Sequence, residues 1–231
     1  MAVMQVTLAE LRLQIARLQK GEGAPPACVV PLCDAIDRNL PGNGLVRASV
    51  HEVLAADPGA ATGFCSLVAA RAAGAVVWIG SEPDIWPQGL AAFGLQADCL
   101  VLVGARRSKD GLWAFEEALR SPGVAAAVLA VDRHPPDLIA GRRLQLAAEA
   151  GGGIGVLLLP DSGLSPPSAA RTRWRVDAAP GQRSGDPCWR LSLLRCSGAR
   201  PAEWTVTWDR VAGELKPAFP QATAMSGGVR R

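Results

Sequence analysis

Residues 44–64, GLVRASVHEVLAADPGAATGF, run as a turn, a strand, a loop and the start of a helix. In α/β proteins that succession holds nucleotide phosphates when it carries G-x-x-x-x-G-K-[ST]. The glycines let backbone N–H groups wrap the phosphates, the lysine neutralises their charge and the hydroxyl takes Mg²⁺. After the strand, this stretch offers the hydroxyl of Thr62 and no lysine. Asp132-Arg133-His134 has the side chains for proton transfer, but no serine or cysteine on a nucleophile elbow accompanies it, so a loop is expected there. His51 and Glu52 lie in a buried strand context, where a histidine is expected to be a satisfied core residue. The six cysteines, Cys28, Cys33, Cys65, Cys99, Cys188 and Cys196, form no C-x-x-C pair, and His51 and His134 are the only histidines. Metal ligands come in tighter pairs, so no metal, no other cofactor and reduced thiols are expected.

The elements that must position these residues are legible as an alternation. Leu8, Leu11, Ile15 and Leu18 recur at steps of three and four, which predicts a helix over 7–20 with one apolar stripe for docking on a partner or on its own core. A Gly/Pro linker follows over 21–31. Strands are predicted at 46–54, 75–80, 99–103, 124–131 and 154–159. Helices are predicted between them at 62–73, 87–93, 108–120 (with Ser108 as N-cap) and 137–150. Near-continuous apolar strands separated by helices imply a mostly parallel sheet covered on both faces. After Pro160 the pattern changes. Segments 173–176, 188–194 and 203–208 alternate with period two, which predicts antiparallel strands at the sheet's C-terminal edge. Trp113, Trp189, Trp204 and Trp208 are expected in the core. The expected organisation is a helix and linker over 1–31, one α/β domain over 32–216 and a disordered tail over 217–231. No apolar run is long enough to span a membrane and no signal peptide is evident, so a cytoplasmic protein is expected.

The strand and loop at 44–64 resemble the entry to the phosphate loop of the RecA recombinase. Glu52 and Val53 fall on its strand. Its first glycine falls on Ala55, its second on Ala60, its lysine on Ala61 and its Mg²⁺-binding hydroxyl on Thr62. The water-activating acid falls on Glu82 and the strand-end Mg²⁺ partner on Asp132. The nucleotide-sensing amide is replaced by Pro160 and Asp161. The cationic pair that reaches between subunits is reduced to Arg195, with Ser197 in the second place. The resemblance implies a RecA-like scaffold with a vestigial nucleotide site and no catalysis.

Charge is uneven. Residues 1–170 hold 13 basic and 16 acidic side chains, and residues 171–231 hold 11 and 5. A basic C-terminal quarter suits an anionic partner. Arg171, Arg173 and Arg175, with Trp174 on the opposite face of the strand, form a candidate phosphate clamp or a charged edge strand over a buried tryptophan. Arg142 and Arg143 on the helix nearby are further DNA-binding candidates. Arg106, Arg107 and Lys109 read as a solvated helix start.

The stretches VHEV (50–53), GLAAFGL (89–95), LWAFEEALR (112–120), GRRLQLAAEA (141–150), SAARTRWRV (168–176) and WRLSLLR (189–195) resemble the ImuA family of bacterial proteins, over about residues 40–210. That resemblance implies an accessory role in SOS-induced translesion synthesis and mutagenesis. It implies as partners an ImuB-type, Y-family-like protein and an error-prone C-family DNA polymerase, with single-stranded DNA and RecA as further contacts. Three other readings remain open at this point: a divergent RecA-like ATPase using Thr62, Glu82 and Asp132, an SOS cell-division inhibitor, and a modulator of RecA filaments.

Overall fold

The computed structural model describes residues 29–81, 85–132, 134–163, 167–181 and 185–218. A short antiparallel pair comes first: β1 (Val29–Val30) and β2 (Leu45–Val46), flanking α1 (Asp34–Asp37). The main alternation follows with β3 (Ser49–Ala55), α2 (Pro58–Arg71), β4 (Ala75–Gly80), α3 (Pro87–Ala91), β5 (Leu100–Gly104), α4 (Ser108–Arg120), β6 (Val124–Ala130), α5 (Leu138–Gly151) and β7 (Ile154–Pro160). Four further strands close the chain: β8 (Thr172–Ala178), β9 (Cys188–Cys196), β10 (Ala202–Asp209) and β11 (Glu214–Pro217). The main sheet has nine strands in the order β11-β10-β9-β8-β3-β7-β6-β4-β5. From β8 to β5 the pairs are parallel, and from β8 to β11 they are antiparallel.

The predicted parallel sheet with an antiparallel C-terminal edge is therefore present, with differences of detail, among them a start of α2 at Pro58 instead of Thr62. The predicted linker gives up Val29–Val30 to β1, which pairs with β2. The first strand of the domain is split, because β2 serves that small hairpin and β3 starts again at Ser49. Ser108 is the first helical residue of α4 and not its cap. Pro217, assigned to the tail, ends β11, a strand too short to show a period. The predicted docking helix with Leu8, Leu11, Ile15 and Leu18, and the tail beyond Ala218, lie outside the described residues.

Two apolar layers sandwich the sheet. One joins α2 to the faces of β4, β6, β7 and β8–β11. It contains a run of aromatic rings with centroids 5.6–6.3 Å apart, linking Trp204, Trp174, Phe64, Trp189, Phe93 and Trp208. Aromatic pairs at such separations stabilise beyond their buried area. The indole N–H groups are satisfied: Trp204 donates to the Ala35 carbonyl at 3.1 Å, Trp208 to the Ala92 carbonyl at 2.7 Å and Trp174 to Thr172 Oγ1 at 2.9 Å. α2 reaches this layer because Gly63 has no side chain. A Cβ there would lie 2.9 Å from both Phe93 and Trp189. The other layer places α4 and α5 over β3, β4, β6 and β7, where a Cβ on Gly155 would meet Leu119 at 2.8 Å. Asp37 is buried at the end of α1 and both its oxygens accept the Leu32 N–H, at 2.9 and 3.1 Å; burial pushes its carboxyl up to about 6. Among the described residues, no helix is long and apolar enough to cross a membrane.

Candidate functional site

The C-terminal ends of β3, β4, β6 and β7 form the crevice where open α/β sheets bind ligands. At β3 the connection to α2 is two residues long, Ala56 and Asp57. Asp57 is the N-cap and its Oδ1 accepts the Ala60 N–H at 2.7 Å, with Pro58 opening the first turn. That is a favourable helix start, since aspartate satisfies an orphan donor and opposes the positive end of the helix dipole. It also puts a carboxylate where a phosphate would sit. Three neighbouring amides are engaged too. Ala56 and Asp57 donate to the Val176 carbonyl at 3.0 and 3.2 Å, and Ala61 donates to the Asp57 carbonyl at 3.0 Å. Ala60 is 6% exposed and Ala61 fully buried, so the residue at the lysine position faces the core. Thr62 is half-buried one turn into α2. Ala55 ends β3, and Ala60, Ala61 and Thr62 lie at the start of α2, a capped helix and not a wrapped loop. The sequence D-P-G-A already carried this signal, an N-cap acid followed by proline.

Further along the crevice, Ser81 after β4 donates to Asp132 Oδ1 after β6 at 3.1 Å. Asp132 and His134 are exposed, and with Ser81 they line a small cleft against Ser108 and Gly111 of α4. Glu82 and Arg133 lie outside the described residues. His51 is a satisfied core residue. Its Nε2 lies 2.8 Å from the Val46 carbonyl and its Nδ1 2.7 Å from Thr172 Oγ1, which also accepts from Trp174. The carbonyl can only accept, so Nε2 carries the proton and Nδ1 accepts the threonine hydroxyl. Burial pushes this histidine down to about 4.

The arginines do not assemble into a clamp. Arg173 is 5% exposed and stands directly across the β3–β8 ladder from Glu52, which is 2% exposed. Its Nε donates to Glu52 Oε2 at 2.6 Å, and Ser168 donates to the other oxygen. The phosphate contact expected of Arg173 is corrected on this point: its guanidinium is committed inside the sheet. Two charges in an apolar strand context were the missed signal, because each needs a partner. Arg175 is half-buried and bonds Asp161 Oδ2 at 2.7 Å, and this acid raises its pKa. Arg171 sits at the opposite end of β8, beside His51 and Cys196. Arg195 donates to the Ala170 carbonyl at 2.7 Å, a bond within its own chain. On α5, Arg142 is exposed, while Arg143 joins Arg120 in a pair of ion bridges to Glu116. Arg106, Arg107 and Lys109 are exposed at the start of α4. Trp189, Trp204 and Trp208 are buried as expected, but Trp113 is 65% exposed, since its position on α4 faces away from the sheet.

No family model matches the chain. Two curated relatives, both called Protein ImuA and from two strains of Caulobacter vibrioides, are each 40% identical to it over 74% of this chain and 79% of theirs. Among solved structures, the RadB recombinase superposes with a TM-score of 0.60 at 13% identity, covering 80% of this chain and 96% of its own. At that identity the likeness concerns the fold, which is RecA-like.

Proposed function

The chain belongs to the ImuA family, and we propose from this that it is a non-catalytic accessory protein of SOS-induced translesion synthesis and mutagenesis. Membership of the family together with the RecA-like fold supports an accessory role in damage-induced mutagenesis. In this reading it works beside an ImuB-type protein and an error-prone C-family polymerase, in the cytoplasm, as a shaped adaptor. The observation that carries the non-catalytic part is the Asp57 cap. A carboxylate and the engaged amides of residues 56, 57, 60 and 61 occupy the position where a nucleotide phosphate would be held. Contact with single-stranded DNA falls first to the exposed Arg142, which is in no ion pair among the described residues, since Arg143 is bridged to Glu116, Arg173 is sequestered and Arg175 is shared with Asp161.

The test has two parts. Titration with a fluorescent ATP analogue and Mg²⁺ is expected to give no saturable binding below about 1 mM; Mg²⁺-dependent binding in the micromolar range would sink the reading. In a strain lacking the gene, damage-induced mutation frequency is expected to fall and to be restored equally by the wild-type chain and by Thr62→Ala. Unchanged induced mutagenesis would remove the accessory role itself.

A further inference from the structure

The two ends of the main sheet are built differently. β11 reads ELKP, and Lys216 pairs with Asp209 at 3.2 Å and with Glu214 at 3.0 Å. Charge and proline on an edge strand prevent other chains from adding to it. β5, at the other end, reads LVLVG and carries neither. Val101 is 53% and Leu102 41% exposed. Neighbouring residues of a strand point to opposite faces, so β5 shows one exposed apolar side chain on each, while Leu100 and Val103 are half-buried against the core. A Cβ added to Gly104 would meet nothing within 4 Å. Among the described residues, β4 is the only strand that pairs with β5. An apolar, undefended edge of this kind is a template for a further strand.

We infer that the strand it takes is β5 of a second copy, antiparallel about a two-fold axis through Leu102, joining two nine-stranded sheets into one. This register pairs all five residues. Leu102 meets its own counterpart, Val101 meets Val103 of the partner subunit and Leu100 meets Gly104 of the partner subunit, so no charge faces the contact. Charges outside the strand favour the same orientation. The exposed Asp98 precedes β5, and the exposed Arg106 and Arg107 follow it. An antiparallel arrangement brings the acidic end of each copy to the basic end of the other, twice, whereas a parallel one sets like ends together. A self-complementary strand flanked by self-complementary charges is what an isologous two-fold contact requires. A five-residue strand pair is a small interface, so the dimer is expected to form at about 1–100 µM.

Sedimentation equilibrium of the full chain across that range is expected to show a monomer–dimer equilibrium. Leu102→Lys sets two ammonium groups opposite each other and is expected to weaken the dimer at least about 100-fold. Below the dimer's dissociation constant, its circular dichroism and melting midpoint should stay close to the wild type, because Leu102 is 41% exposed and belongs to neither core layer. Residues facing across an antiparallel ladder have Cα atoms about 4.5–5.5 Å apart, within disulfide reach. Leu102→Cys in a Cys99→Ser background should therefore cross-link into a covalent dimer under mild oxidation. Val211→Cys in the same background, 99% exposed on a distant turn, should not. A wild-type chain that stays monomeric throughout, or a dimer that Leu102→Lys leaves intact, would overturn the inference.

Discussion

Arg173 offers a sharp separation between a DNA-contacting side chain and an architectural one. Its side chain is 6% exposed and that of Glu52 3%, with 2.6 Å between the bonded atoms. Replacing Arg173 with Met removes the cation and leaves a buried carboxylate whose remaining partner, among the described residues, is the Ser168 hydroxyl. Breaking a buried pair from one side costs about 3–5 kcal/mol, a large share of the roughly 5–15 kcal/mol that holds a domain folded. For a domain of this size the melting midpoint falls by about 2–4 °C per kcal/mol, so Arg173→Met should lower it by roughly 6–20 °C. Replacing both partners, Glu52→Leu with Arg173→Met, removes the buried charge altogether. Apolar replacement of a whole pair is often neutral or stabilising, so the double variant should return to within about 2 kcal/mol of the wild type. The tryptophans of the core report both transitions by fluorescence in urea. If Arg173→Met unfolds at the wild-type midpoint, or if the double variant is no better than the single one, the architectural assignment is wrong. Loss of affinity for single-stranded DNA with unaltered stability would return Arg173 to the surface role read from the sequence.

Other perturbations probe the remaining parts of the fold. Ala61→Lys places an ammonium in the core beneath α2 and is expected to cost several kcal/mol, roughly 3 or more, and to leave ATP binding undetected by titration. Asp57→Ala removes the N-cap and should cost about 1 kcal/mol in a urea melt, while Asp57→Asn should retain most of it. His51 is held near 4 against an ordinary 6.5, so as pH falls through that window the unfolded chain takes the proton first and stability drops, by up to about 3 kcal/mol. Asp37 acts in the opposite sense, because its folded carboxyl is raised to about 6 and binds a proton before the unfolded one does. The histidine slope should therefore emerge steeper in Asp37→Asn than in the wild type when melts are compared from pH 7 to pH 4. Arg142→Ala should weaken binding to single-stranded DNA uniformly across sequences and reduce the salt slope by about one, measured by fluorescence anisotropy.

The sequence revealed the parts of this molecule that depend on pattern. Apolar strands, the helices between them and the change to period two after Pro160 all became strands and helices close to where they were expected. What it hid depends on register. Glu52 and Arg173 are 121 residues apart, and only the parallel pairing of β3 with β8 sets them face to face. Without that pairing, an arginine between two others in RTRWR reads as surface charge. Trp113 misled for a related reason. Tryptophan is expected inside, but the rotation of α4 on the sheet gives the core to Phe115, Ala118 and Leu119 and turns the indole outward. β11 is four residues long, too short for alternation to show, and exists through its pairing with β10.

The connection from β3 to α2 illustrates how local stability and nucleotide chemistry compete for the same backbone. A phosphate loop needs its first amides unpaired and its helix begun late. Here α2 begins at Pro58, directly after a two-residue connection, and its first turn is closed by an aspartate. Each feature is favourable to the helix and unfavourable to an anion. Ala61 acts in the same direction: it is small and buried, so the turn can lie against the sheet where a lysine would have to be pushed out. Returning lysine alone would therefore meet a packed core and a capped helix. A binding loop would require the first turn of α2 to unwind, Asp57 to leave and Ala61 to come out of the core together. Single substitutions in this segment should accordingly be read as tests of folding before they are read as tests of nucleotide binding.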